Sequence, residues 1–300
     1  MNATASAATT EATEVPDGVR TVPVDGEHSV AYATYGDPAG APLVLFHGTP
    51  GSHRLGALFD EAASRAGVYV IAPDRPGYGE SDGWPDRTLR DTGAIVAALL
   101  DDIGASKTRV AGFSGGGPHA LAAAATLPER VTSVEVLSGS TPPSLSQATP
   151  PLQRLLGGLG SWTPRMLGGL FALQRRVASD RPPAFVLDQY TDDPGAVSDP
   201  AAAVIKDDFL TGLAQGGTGA AREFGLVRGQ WAGIAAAVDL PVRVWHGSDD
   251  DNVALADAKR LADHIGATMT TLEGEDHLTA LLAAFPRVVE AQANGTAANR

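Results

Sequence analysis

A serine between closely spaced glycines is the residue of this chain best suited to act as a nucleophile. It lies in Gly112-Phe113-Ser114-Gly115-Gly116, after an apolar run, Thr108 to Phe113, that predicts a strand and before an Ala-rich stretch, Gly117 to Leu127, that predicts a helix. A sharp turn of this kind exposes the serine Oγ above a sheet, and glycines two residues away on either side avoid Cβ collisions with neighbouring backbone. The pattern predicts that Ser114 is a hydrolase nucleophile; the alternative is a small residue in an ordinary loop.

A serine nucleophile at neutral pH requires a neutral imidazole and a carboxylate that orients the imidazole. The C-terminal third of the chain contains both kinds of side chain. Asp249, Asp250 and Asp251 follow one apolar run, and His277 follows the last one. Both positions are at the carboxyl ends of predicted strands, where open α/β sheets build their sites. Of the seven histidines, His277 alone follows the last predicted strand, so we expect it to be the general base.

The elements that must position these side chains alternate between short apolar runs and longer helical patterns, which is typical of a mainly parallel sheet with helices on both faces. Residues 19–24 and 28–35 predict an opening hairpin. Six further strands are predicted at 43–47, 68–72, 109–113, 134–137, 242–246 and 268–272. Helices are predicted at 55–66, 89–103, 117–127, 255–265 and 279–291. The fold class is therefore α/β, with an eight-stranded sheet.

A segment rich in Pro, Gly and scattered aromatic residues interrupts this alternation and predicts an inserted helical cap at 140–235. The core then comprises residues 16–139 and 236–300, and residues 1–15 are expected to be a disordered tail. A cap of this kind covers the mouth of a site and supplies an apolar wall for substrate. The residues expected to contact substrate are His53, Phe113, Trp162, Phe171 and Trp231.

Four motifs in this order and spacing resemble the α/β-hydrolase superfamily, over nearly all of the chain after Val15. They are His47-Gly48-Thr49-Pro50-Gly51, Asp74-Arg75-Pro76-Gly77-Tyr78-Gly79-Glu80-Ser81, the glycine-flanked serine, and the His246-Gly247 loop followed by His277. The resemblance implies an α/β-hydrolase fold with a serine-esterase-like site.

The same resemblance implies a role for each site residue. Ser114 is the nucleophile, His277 is the general base and then the general acid, and Asp250 is the orienting carboxylate. Asp250 has the spacing usual for that acid, three residues after Gly247 and three before Val253, and Asp249 is the alternative. The resemblance assigns the two backbone donors of the oxyanion hole to Thr49 and Gly115.

Composition excludes several classes of function. A net charge of −13 and a pI near 4.8 argue against a nucleic-acid partner, because phosphate binding requires a basic surface. The chain has no cysteine, no apolar run long enough to cross a bilayer, no spacing typical of a metal site and no cofactor-binding motif. Without a signal-like start, a cytoplasmic location is expected. The 24 Asp against 11 Glu and the 19 Arg against 3 Lys fit either salt adaptation or a GC-rich coding bias.

The function predicted from these residues is cofactor-free hydrolysis of a small-molecule carboxylic ester through an acyl-enzyme. Lactone hydrolysis, C–C bond hydrolysis and the release of N-terminal proline use the same triad and remain alternatives. Prolyl peptidases of this fold usually have a Gly-Gly-Ser-Trp-Gly type turn, from which Gly112-Phe113-Ser114-Gly115-Gly116 departs. An alternative of another class is a ligand-binding receptor with little turnover. The sequence predicts no particular oligomeric state.

Overall fold

The computed structural model describes residues 13–14, 18–147 and 164–297, which form one twisted sheet with helices on both faces. The strands are β1 (Thr13–Glu14), β2 (Arg20–Pro23), β3 (Ser29–Gly36), β4 (Ala41–Phe46), β5 (Val68–Pro73), β6 (Thr108–Phe113), β7 (Val131–Leu137), β8 (Val242–Gly247) and β9 (Thr268–Leu272). Their order is β1-β2-β3-β5-β4-β6-β7-β8-β9. Strands β4 to β9 are parallel, and β2 and β3 pair antiparallel at the N-terminal edge. The eight predicted strands are confirmed, and β1 adds a two-residue antiparallel pairing with β2.

Helices connect the parallel strands and cover the sheet. They are α1 (Asp60–Ala66), α2 (Thr92–Asp102), α3 (Gly117–Thr126), α4 (Pro164–Ser179), α5 (Ala184–Leu187), α6 (Asp199–Gly212), α7 (Thr218–Val227), α8 (Ala232–Ala236), α9 (Leu255–Ile265) and α10 (His277–Ala297). The helices predicted at 55–66 and 89–103 each begin with a 3-10 turn, His53–Phe59 and Leu89–Asp91, before the α-helix proper. Side chains of Ser52 and Thr88 cap these turns by accepting backbone N–H groups.

Both faces of the sheet are buried, as the continuous apolar strands require. Every residue of β6 is buried, and so are residues 43–46 of β4. Helices α1 and α10 cover one face, where the rings of Phe59 and Phe285 stack at 4.1 Å. Helices α2 and α3 cover the other face, and eight of the ten residues of α3 are buried. The small Ala side chains of α3 let this helix pack closely behind the turn that contains Ser114.

The helical insertion predicted between β7 and β8 is present as α4 to α8 in the part of the chain that the structure describes. Leu167, Phe171 and Leu213 of this insertion join the hydrophobic core on the α1 and α10 face. The last helix, α8, packs instead against α3, and Trp231 just before it is buried in the other core. The division into tail, core and cap stays a prediction, and residues 1–12, 15–17, 148–163 and 298–300 lie outside the described ones.

No helix within the described ranges combines the length and the apolar character needed to cross a bilayer.

Candidate active site

The turn that contains Ser114 has the geometry that its glycines allow. Ser114 has φ +51°, a left-handed conformation that costs a non-glycine residue energy unless its surroundings hold it. A Cβ at Gly112 would lie 2.2 Å from the carbonyl oxygen of Gly116, and one at Gly116 would lie 2.3 Å from that of Phe46. No side chain fits at either position, because the obstacle is backbone. The turn therefore aims Ser114 away from the sheet at the end of β6.

His277 is fixed by the start of α10. The helix begins at His277, two residues earlier than the sequence predicted, because Asp276 acts as its N-cap. The Asp276 carboxylate accepts the backbone N–H groups of Leu278 (3.1 Å) and Thr279 (2.9 Å). It also accepts the Thr191 hydroxyl, from the helical insertion. The cap could have been read from Asp276, since an Asp directly before an apolar helical pattern is a usual start signal.

Asp250 meets His277 from the loop after β8. Its Oδ2 lies 2.8 Å from Nδ1 of His277, and its Oδ1 accepts the backbone N–H groups of Asn252 (2.9 Å) and Val253 (2.8 Å). Burial alone would raise the pKa of Asp250, but His277, together with His246 and the Val253 N–H, outweighs it and lowers that pKa. Asp250 is therefore a carboxylate at neutral pH, pinned on one oxygen and bonded to the imidazole on the other.

The neighbouring carboxylates do not share this position. Asp249 and Asp251 are exposed, whereas Asp250 is buried, and Asp249 accepts the hydroxyl of Ser248 at 2.7 Å. Of the three adjacent acids, the structure brings Asp250 to the imidazole. His246 lies 3.4 Å from Asp250 and donates its Nε2–H to the carbonyl of Val253 at 2.8 Å. Burial lowers the pKa of His246, which packs as a neutral residue beside the acid.

Ser114 and His277 open into one cavity of about 860 Å³, within the usual range for small-molecule sites. Because Nδ1–H of His277 donates to Asp250, its Nε2 carries the lone pair. Among the described residues, the His277 ring bonds to Asp250 and forms no hydrogen bond with Ser114 Oγ. Catalytic hydrogen bonds of ligand-free sites are often longer than in the reacting complex.

Thr49 and Gly115, the two predicted oxyanion donors, line the same cavity. They lie very close to each other, since a Cβ at Gly115 would be 2.2 Å from the Thr49 hydroxyl and 3.6 Å from the Thr49 nitrogen. Gly115 also follows Ser114 directly, at the start of the helical segment that leads into α3. Both backbone N–H groups are thus beside the serine.

The predicted substrate contacts divide into one that lines the cavity and others that do not. Phe171 lines it. Phe113 lies behind the imidazole, with its ring 5.0 Å from that of His277. His53 is buried and its Nδ1 lies 2.9 Å from Asp74, so it connects the segment after β4 to the segment after β5. Trp231 donates its indole N–H to the Val227 carbonyl and is core. The substrate-contact predictions for His53, Phe113 and Trp231 are therefore not supported, and Trp162 lies outside the described residues.

Sequence reasoning missed most of the cavity wall. Its lining includes apolar side chains from the helical insertion, namely Leu167, Leu170, Phe224 and Val227, and polar groups, among them Gln189 and Asn252. Nothing in the local sequence around these residues indicates a shared cavity, because they come together only through packing of α4 and α7. Sequence reasoning also missed the buried pair of Arg75 and Glu223, joined at 3.0 Å below the Thr49 loop.

Among the described residues, no group of three or more His, Asp or Glu side chains could hold a metal ion.

Comparison with known proteins identifies the family. A family model described as "alpha/beta hydrolase fold" matches residues 41–284, which is most of the chain. Among solved structures, an esterase from Rhodococcus sp. ECU1013 superposes with a TM-score of 0.68 at 22% identity, over 92% of this chain and 99% of that one. At that identity the likeness shows the fold alone.

Curated relatives match over shorter segments. The dihydrolipoyllysine-residue acetyltransferase component of an acetoin cleaving system from Pseudomonas putida is 39% identical over 106 residues, 35% of this chain and 28% of that protein. A 2-hydroxy-6-oxononadienedioate/2-hydroxy-6-oxononatrienedioate hydrolase from Burkholderia vietnamiensis is 35% identical over 104 residues, 33% of this chain and 36% of that protein. The chain thus spans about a third of the length of these two relatives.

Proposed function

The chain belongs to the alpha/beta hydrolase fold family, and we propose that it is a cofactor-free serine hydrolase that cleaves small or medium carboxylic esters. One observation carries the proposal. Ser114, in its strained turn, opens into the same cavity as His277, whose Nδ1 is bonded to the buried carboxylate of Asp250. A hydroxyl, an imidazole and a carboxylate arranged in this order are the parts that acyl transfer requires.

The first half-reaction would form an acyl-enzyme. Ser114 Oγ attacks the ester carbonyl carbon while Nε2 of His277 takes the hydroxyl proton. The carbonyl π electrons move to oxygen, and the backbone N–H groups of Thr49 and Gly115 stabilise the resulting oxyanion. When the tetrahedral intermediate collapses, the C–O bond to the leaving group breaks and His277 gives its proton to the departing alcohol oxygen.

The second half-reaction would release the acid. Nε2 of His277 takes a proton from water as the water oxygen attacks the acyl carbon, and it returns that proton to Ser114 Oγ when the acyl bond breaks. In both halves the ionised Asp250 stabilises the imidazolium and holds its orientation. Its low pKa supports this role, because a protonated acid would offer the imidazolium no negative charge.

The cavity supports an apolar acyl or alcohol group of moderate size. Leu167, Phe171 and Phe224 form an apolar wall, and the volume of about 860 Å³ exceeds what an acetyl group fills. Binding of such a group is favoured by the apolar area that it buries. We therefore expect butyrate or hexanoate esters to be better substrates than acetate esters.

The test is hydrolysis of p-nitrophenyl butyrate together with labelling by a fluorophosphonate that reacts with activated serines. Wild-type protein should turn over the ester, and mass spectrometry should place the label on Ser114. Ser114→Ala should abolish both. Ser64→Ala, an exposed serine on α1, serves as the matched control and should change neither.

Ester turnover that survives in Ser114→Ala would refute the assignment. A panel with a lactone and a proline amide distinguishes the other reactions of the same triad, since faster turnover of either than of any ester would replace the ester proposal. The match to the Burkholderia hydrolase makes a C–C bond substrate a further member of this panel. Tight ligand binding without turnover would favour a receptor.

A further inference from the structure

A buried ionic cluster contacts both segments of the proposed oxyanion hole, and one of its members, Glu223, also lines the cavity. Glu223, on α7 of the helical insertion, is fully buried and contacts three basic side chains of the core. Its Oε1 lies 3.0 Å from Nη1 of Arg75 and 2.6 Å from Nε2 of His119. Its Oε2 lies 2.8 Å from Nη2 of Arg87. The carboxylate therefore ties the insertion to the connection between β5 and α2, which contains Arg75 and Arg87, and to α3.

Arg75 extends this cluster to both segments that carry the oxyanion donors. Its Nη2 atom donates to the Gly48 carbonyl at 2.8 Å and to the Thr49 hydroxyl at 2.9 Å. Its Nη1 atom donates to the Gly115 carbonyl at 2.9 Å as well as to Glu223. One planar guanidinium, only 1% exposed, thus holds the Thr49 loop and the Ser114 turn at a fixed separation.

The contact with Gly48 bears directly on the Thr49 donor. The carbonyl of Gly48 and the N–H of Thr49 belong to the same planar peptide unit, so a group that fixes the oxygen also fixes the direction of the N–H. A cation bonded to the oxygen further polarises the amide and strengthens its N–H as a donor. Arg75 therefore acts on the far side of the peptide from the cavity, without touching substrate.

The charges in the cluster leave a net positive charge near the oxyanion. Burial would raise the pKa of Glu223, but Arg75, His119 and Arg87 together hold it well below its ordinary value, so Glu223 is ionised. Burial lowers the pKa of His119 to about 4 against the pull of Glu223, so the imidazole is neutral at pH 7. It donates Nε2–H to Glu223 and accepts the Thr92 hydroxyl on Nδ1 at 3.0 Å.

We propose that Arg75 is a positioning residue for the oxyanion hole and that Glu223 makes this positioning depend on the seating of the helical insertion. In this arrangement the insertion does more than cover the cavity. Its α7 supplies the carboxylate that locks Arg75, and Arg75 in turn orients the Thr49 N–H and fixes its distance from Gly115. The inference rests on the proposed function, since it assigns a support to that same site.

The test compares Glu223→Gln and Arg75→Lys with Glu135→Gln. Glu135 is the matched control, because it too is fully buried between two arginines but lies within the sheet, away from the cavity. For Glu223→Gln we expect kcat on p-nitrophenyl butyrate to fall by about ten- to a hundredfold with KM within twofold, since loss of a whole oxyanion donor costs about a hundred- to a thousandfold. Arg75→Lys keeps the charge but loses the two-pronged guanidinium, so its kcat should fall by at least as much.

The affinity for a transition-state mimic is a second readout, and a purely structural role of Arg75 and Glu223 would not change it in parallel with kcat. An alkyl boronic acid mimics the tetrahedral intermediate, and its affinity should fall by the same factor as kcat in both site variants, while KM stays nearly constant. Glu135→Gln, assayed well below its melting temperature, should keep the wild-type values of kcat and boronate affinity. Rescue to within threefold of wild-type kcat by Glu223→Asp would add support, because the carboxylate is then restored.

The inference is overturned if Glu223→Gln and Arg75→Lys keep wild-type kcat, or if Glu135→Gln loses as much kcat as they do. If one variant does not fold, the other decides. Fluorophosphonate labelling of the wild type separates this failure from that of the proposed function, because the label reports an activated serine in the wild type, independently of the comparison between variants. Wild-type protein that neither hydrolyses the ester nor takes the label removes both proposals. A labelled wild type with unslowed site variants removes this one alone.

Discussion

Two fully buried glutamates of this chain, Glu135 and Glu223, each lie between two arginines, yet they connect different things. Glu135, on β7, accepts from Arg109 of β6 at 2.7 Å and from Arg243 and Trp245 of β8. Glu223 joins the helical insertion to the connection that follows β5 at the carboxyl end of the sheet. The first cluster holds three adjacent parallel strands together, and the second holds the helical insertion against a proposed site.

The difference concerns where a buried charge has its effect. Arg109 also donates to the Val288 carbonyl of α10, so these partners of the Glu135 cluster belong to the sheet and its covering helix. None of these groups lines the cavity. We therefore expect changes at the Glu135 cluster to alter the free energy of unfolding, and changes at the carboxyl end of the sheet to alter kcat.

The largest effect is expected at Asp250. Asp250→Asn keeps the shape and an oxygen for the N–H groups of Asn252 and Val253, but its amide no longer stabilises the imidazolium or enforces the tautomer of His277. We expect kcat on p-nitrophenyl butyrate to fall by about 10⁴ with little change in melting temperature.

Asp249→Asn is the control for this measurement, since it alters an exposed carboxylate one residue away. It should keep kcat within about twofold. Equal losses in the two variants would show that the acidic loop acts as a whole, and the distinction drawn for Asp250 would fail.

The next effect concerns folding. Glu135→Leu removes the acceptor of Arg109, Arg243 and Trp245 together and leaves a buried cation on Arg109, which is 11% exposed at its side chain. Breaking a buried ion pair costs about 3–5 kcal/mol. Urea unfolding should show that loss, while kcat per folded molecule stays unchanged at low temperature. A fall in kcat without loss of stability would reverse the roles of the two clusters.

The sequence predicted the parts of the site that local rules determine. Gly112 and Gly116 are required by backbone a few ångströms away, so the short pattern around Ser114 contains the necessary information. The choice of Asp250 among three acids depends on the resemblance to α/β-hydrolases, in which the acid has this spacing from a glycine such as Gly247. The prediction for His277 follows from its place after the last strand.

The supports of the site were beyond such rules. Arg75 and Glu223 are 148 residues apart, and nothing near Glu223 distinguishes it from any other helical glutamate. The cavity wall likewise depends on how α4 and α7 pack. Trp231 is the reverse case, since a large aromatic residue in the insertion suggests a substrate contact, whereas the structure buries it in the hydrophobic core that also contains α3. Composition cannot separate core from cavity when both are apolar.

A smaller effect is expected from a second carboxylate of the insertion that reaches the Thr49 loop. Asp208, on α6, accepts the N–H and the hydroxyl of Ser52 at 2.7 and 3.1 Å. Burial raises the pKa of Asp208 to about 7, and these two bonds only partly oppose it. Its folded-state pKa thus lies above the unfolded value, so its contribution to stability is full at acid pH and is lost as pH rises through about 7.

Asp208→Asn should therefore unfold with a shallower fall in stability between about pH 4 and pH 7 than wild type, since Asn keeps the acceptor for Ser52 without titrating. The difference amounts to about 1.4 kcal/mol for each unit by which burial shifts the pKa. Urea midpoints measured from pH 4 to pH 8 check it. Identical pH profiles for variant and wild type would mean that Asp208 is not protonated near neutrality.

The smallest effect is expected at an exposed pair on α1, which completes the comparison. Arg65 and Glu61 lie 3.4 Å apart with side chains 72% and 86% exposed. Water therefore screens the attraction between their charges, which it does not do in the buried clusters. Arg65→Gln should change the free energy of unfolding by less than about 0.5 kcal/mol, and the change should vanish in 1 M NaCl. A loss at Arg65 as large as that at Glu135, measured in the same urea series, would mean that charge pairing stabilises this acidic chain wherever it occurs. Burial would then no longer explain why the ion pairs of Glu135 stabilise the sheet and those of Glu223 are expected to support the site.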